Sequence, residues 1–131
     1  MDIWKPIDKI LTPVLVLALR DDSEGFRVLV EEGVPGGKLY KFLFDSVVSY
    51  RSIPESFSTN STPQITTEEW PFFVSRQTDY IDWFIKKNNG VMDVDGVIHY
   101  AIWAYDDCVD VLAFSEPTVE CLIDNLDNLG F

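Results

Sequence analysis

The last third of this 131-residue sequence contains no lysine and no arginine. All ten bases fall between Lys5 and Lys87, where they meet 13 acids, so residues 1–87 carry a net charge of −3. Residues 88–131 hold nine acids and no base, a net −9 of the total −12. A field this one-sided disfavours nucleic acid and anionic membranes as partners and favours cationic ones. Cysteine is scarce as well. Cys108 and Cys121 make no Cys-x-x-Cys pair, and two thiols cannot build the disulfide framework of a small secreted domain. Long apolar runs are missing too. The longest, Val14–Leu19, is far short of the roughly 20 residues that cross a bilayer, and Met1-Asp2-Ile3-Trp4-Lys5 lacks the regions of a secretory signal. The expectation is a cytoplasmic protein.

The motifs of catalysis are also absent. His99 is the single histidine, so no histidine pair can hold a metal, and a central-strand setting reads as a structural residue. A cluster of His99 with Cys108, Asp106 and Asp110 across a hairpin matches no zinc spacing. Asp93-Val94-Asp95-Gly96 opens like a calcium loop, but Ala104 stands where the closing acid belongs, so it reads as a turn. Gly36-Gly37-Lys38 is followed by Leu39 instead of Ser or Thr, which excludes a phosphate loop. No Gly-x-Ser-x-Gly elbow, His-Glu-x-x-His or dinucleotide fingerprint occurs. Neither a metal nor a cofactor is expected.

What the chain does have is 47% apolar residues, 18 aromatics among them, enough for the core of one domain over residues 1–131. Ile3, Trp4, Ile7, Ile10 and Leu11 recur at helical spacing and predict an N-terminal helix ending at Thr12-Pro13. Val14–Arg20 and Phe26–Glu31 flank a run of turn formers and predict a hairpin. Lys38–Ser52 reads as one long third strand, its polar interruptions inviting a bulge. Residues 53–69 turn to Ser, Thr, Pro, Asn and Glu, the composition of an exposed loop, and Trp70–Ser75 reads as a short strand or an anchor. Thr78 caps a middle helix with Asp79 and Asp82 in its first turn, Lys86 and Lys87 in its last, and Tyr80, Ile81, Phe84 and Ile85 as its buried stripe. Val97–Tyr105 and Cys108–Phe114 form the strongest hairpin, its first strand apolar on both faces and therefore central. From Pro117, Val119, Leu122, Ile123, Leu126 and Leu129 share one face of a C-terminal amphipathic helix. The sum is an α+β domain: a mostly antiparallel sheet of about five or six strands with N-terminal, middle and C-terminal helices.

Function then follows the charge. The acidic C-terminal third is expected to dock on a basic protein through Asp106, Asp107, Asp110, Glu120, Asp124 and Asp127, with Trp103 or Tyr105 as an apolar anchor. In size, acidity and lack of catalytic motifs the chain resembles the bacterial immunity proteins, and that resemblance implies an inhibitor of a toxin, often a basic nuclease. Two other classes stay open: a small enzyme or ligand-binding domain with a pocket near His99, Tyr100, Cys108 and Asp110, and an oligomeric adaptor subunit.

Overall fold

A computed structural model describes residues 1–54 and 70–122. Short stretches rich in β-branched and aromatic residues alternate with Gly, Pro, Asp and Ser, a composition that favours strands over helices. The strands are β1 (Asp2–Ile3), β2 (Val14–Asp22), β3 (Gly25–Glu32), β4 (Leu39–Phe44), β5 (Val47–Pro54) and β6 (Phe72–Ser75). The helix α1 (Asp79–Asn88) follows, then β7 (Ile98–Trp103), β8 (Asp107–Ala113) and β9 (Thr118–Leu122). They form two antiparallel sheets, one in the order β1-β6-β7-β8-β5 and the other β2-β3-β4-β9.

The expected α+β domain with three helices is therefore wrong: the protein is mostly β, and α1 is the one helix among the described residues. At the N-terminus, Asp2 and Ile3 pair with Val74 and Phe73 as a short edge strand, and Trp4 drops into the core against Phe42, Phe72 and Tyr100. Leu11 donates its backbone N–H to the buried Glu32 carboxylate. The spacing that looked helical instead serves a segment that delivers Trp4, Ile7 and Ile10 singly into the core. At the other end, Thr118–Leu122 is a strand on the edge of β4, where Lys41 faces Glu120 at 3.5 Å. Alternation there turns Val119 to the core and leaves Thr118 and Glu120 exposed, a period of 2 in place of 3.6. Ile123, Leu126 and Leu129, with Asp124 and Asp127, lie outside the described residues, as does nearly all of the loop expected at 53–69. Its first two residues, Ile53 and Pro54, end β5.

The long third strand is two strands in different sheets. The chain turns a corner at Asp45-Ser46, where the Ser46 hydroxyl accepts from the Phe114 and Ser115 backbone N–H groups. A bulge is present, but in β5, between Val47 and Ser49. The two hairpins stand as expected, β2–β3 and β7–β8, and β7 is the middle strand of its sheet.

Phe26, Val28 and Val30 of β3 and Tyr40, Phe42 and Phe44 of β4 face Phe72, Tyr100, Ile102, Val109 and Val111 of the other sheet in the main core. Gly37 is required by the approach of the β3–β4 connection, because a Cβ there would collide with the Glu32 carbonyl. Among the described residues no helix is long and apolar enough to cross a membrane.

Candidate functional site

Strand alternation sends His99, Ala101 and Trp103 of β7, and Cys108, Asp110 and Leu112 of β8, to the face of the five-stranded sheet away from the main core. Helix α1 covers one end of that face by packing Tyr80 and Ile81 on Leu112 and Val97. Its N-cap is Thr78, whose Oγ1 accepts from the Ile81 N–H at 3.2 Å. Beneath the helix a line of polar side chains crosses the sheet. Thr78 Oγ1 lies 2.8 Å from His99 Nδ1, and His99 Nε2 lies 2.6 Å from Asp110 Oδ1. Arg51 Nε donates to Asp110 Oδ2 at 3.1 Å, and its guanidinium carbon sits 4.2 Å from the Tyr80 ring centre. Tyr80 in turn shares a 2.6 Å hydrogen bond with Ser49.

Thr78 Oγ1 thus joins the Ile81 N–H and His99 Nδ1, and because a carboxylate can only accept, His99 Nε2 donates to Asp110. Burial alone would push the Asp110 carboxyl up, but the His99 hydrogen bond and the His99 and Arg51 charges hold it below the usual carboxylate range. Burial raises the Tyr80 phenol. Hydroxyl, imidazole and carboxylate thus stand in the sequence of a catalytic triad, yet the hydroxyl is committed to the helix cap and His99 is 4% exposed. What this arrangement accomplishes chemically is to tie the start of α1 to the middle of the sheet.

The cross-hairpin contact of His99 with Asp110 was legible in the sequence as a diagonal neighbour pair, since His99 faces Leu112 and Ala101 faces Asp110. Cys108 lies further along the same face beside Trp103 and Ala101, and Asp106 belongs to the turn beyond. Tyr100 points to the opposite side of the sheet from His99 and lines a cavity that neither His99, Asp110 nor Cys108 touches. Arg51 and Ser49 carried no sequence signal, because their role depends on β5 being the strand beside β8.

The other predicted docking residues are spread out. Tyr105 is 56% exposed at the β7–β8 tip, with its backbone N–H donated to Val14 O at 2.9 Å. Asp106, next to it, is exposed and accepts from Val16 N–H at 3.1 Å, so the tip is pinned twice to β2. Asp107 accepts from the Ser52 hydroxyl at 2.8 Å. Trp103 is buried against Phe73, and Asp110 is buried under α1. Glu120 is exposed on the second sheet. Asp93 and Asp95 form the expected turn, in which Asp93 Oδ1 accepts from Asp95 N–H. That turn precedes β7, so the strand length separates it from Asp106 and Asp107 at the far end.

Of the described acids, Asp22, Glu24, Asp110 and Glu120 have a base within 4.0 Å. The others have no base within that distance, and of them Glu32 is buried against the backbone N–H groups of Leu11 and Lys38. Set against known proteins, the chain matches no protein-family model, no curated protein and no solved structure.

Proposed function

We propose that this chain is a cytoplasmic binding protein that holds a basic protein partner, in the manner of an immunity protein bound to its toxin. The observation that carries this reading is the β7–β8 tip, where Tyr105 is more than half exposed, beside the carboxylate of Asp106, on a turn fixed by two hydrogen bonds to β2. An aromatic ring held in place before binding loses little freedom on docking, and a neighbouring carboxylate suits a surface rich in Lys or Arg. The overall charge of −12 would steer such a partner from a distance. The chemistry of His99 adds weight, since its ring nitrogens are engaged by Thr78 and Asp110 under α1.

Affinity capture from the native cell extract tests this with wild type beside a double variant, Tyr105→Ala with Asp106→Asn. Asparagine keeps the acceptor for Val16 N–H while removing the charge. The expected result is one dominant basic protein that elutes at high salt, is lost from the variant, and stops growth when expressed without this chain. Capture of the same proteins by wild type and variant, or a captured protein without effect on growth, overturns the reading.

A further inference from the structure

At the opposite end of the sandwich from Tyr105, where β7 begins, the ends of β1, β6, β7 and β8 border a cavity of about 560 Å³. That volume lies within the range of small-molecule sites. The cavity is independent of the proposed protein-docking tip. Tyr100 lines it while being only 1% exposed, and its phenol is raised by burial first and then by Glu116, with Arg76 opposing. Arg76 and Glu116 line the same cavity. Among the described residues no group hydrogen-bonds the Tyr100 hydroxyl, which leaves it open to the cavity.

The charges around the opening are unspent as well. Asp2, Arg76 and Glu116 are all exposed, and none of them has an opposite charge within 4.0 Å among the described residues, although they surround one space. A guanidinium set apart from two carboxylates matches a ligand that carries both signs, and it repels a simple cation or a simple anion at one side or the other. Val74, Ile98 and Phe114 supply apolar wall between them.

The geometry points to a binding site for a small zwitterion of the α-amino-acid class with an apolar side chain. Its carboxylate meets Arg76, its ammonium meets Asp2 and Glu116, its side chain lies on Val74, Ile98 and Phe114, and Tyr100 offers its hydroxyl.

The test is a titration of the full chain with L-leucine and L-phenylalanine, followed by amide chemical shifts in two-dimensional NMR. Leucinamide, which lacks the carboxylate, and N-acetyl-leucine, which lacks the ammonium, serve as controls. The expected result is saturable shifts confined to residues 2–3, 74–76, 98–100 and 114–116, with each control binding about tenfold more weakly or worse. Arg76→Gln, an exposed substitution that leaves the fold intact, should erase the preference for leucine over leucinamide. Tyr100→Phe should weaken leucine binding several-fold. Absence of saturable shifts with both amino acids at about 20 mM, a millimolar limit on affinity, overturns the assignment. So does equal binding of leucinamide, which would mark a cation site, or binding undiminished by Arg76→Gln.

Discussion

Asp110 and His99 are each 4% exposed, and a buried carboxylate is tolerable only with partners that meet its oxygens. His99 takes Oδ1 and Arg51 takes Oδ2. Asp110→Ala strands both partners and should cost about 3–5 kcal/mol in urea denaturation, while Asp110→Asn, which can still accept from His99, should cost less. The acid response follows from the direction of the shift. Asp110 is held below its unfolded value of about 3.9, so its contribution is complete above about pH 4 and is lost as pH falls through the lower folded value. Asp22, brought to about 2 chiefly by its hydrogen bonds from Arg27, loses its contribution over the same acid range. Melting temperature measured against pH should therefore fall below about pH 4, and fall less steeply for Asp110→Asn. An Asp110→Asn profile parallel to wild type would remove the buried pair from the explanation.

Thr78 links two elements, since its hydroxyl caps α1 and hydrogen-bonds His99 of the sheet. Thr78→Ala should cost about 1–2 kcal/mol in chemical denaturation, and Thr78→Ser, which keeps the hydroxyl, much less. The elements legible in the sequence are those whose signals are local. Thr78 and the placed charges announce α1, and turn residues between apolar runs announce the two hairpins. What could not be read locally was which partner a segment would find. Thr118–Leu122 pairs with β4 from far upstream, Asp2–Ile3 with β6, and Lys38–Ser52 divides because Ser46 is held by the end of β8. Even in α1, Ile85 was expected inside and is 44% exposed, because the sheet beneath reaches only as far as Tyr80 and Ile81 with Phe84 half-buried. The strand assignment of β9 has its own test. Val119→Asp places a charge against the core and should cost about 2 kcal/mol or more, whereas the outward Thr118→Asp should stay within about 0.5.

Over the whole molecule the described acids of the last third do not gather on one patch: Asp93 and Asp95 sit before β7, Asp106 and Asp107 after it, and Glu120 on the other sheet. A net −12 spread in this way opposes compactness through self-repulsion, so the melting temperature should rise as salt increases from about 0.02 to 0.5 M. The same field should draw in a basic protein from any direction, with Tyr105 fixing where it settles. The most direct measurement of this claim is the association rate with the purified partner, followed by stopped-flow fluorescence across that salt range. The account predicts a rate that falls by about tenfold or more as salt rises, and falls further when Asp106→Asn is introduced. A rate that is flat in salt and indifferent to Asp106→Asn would contradict it.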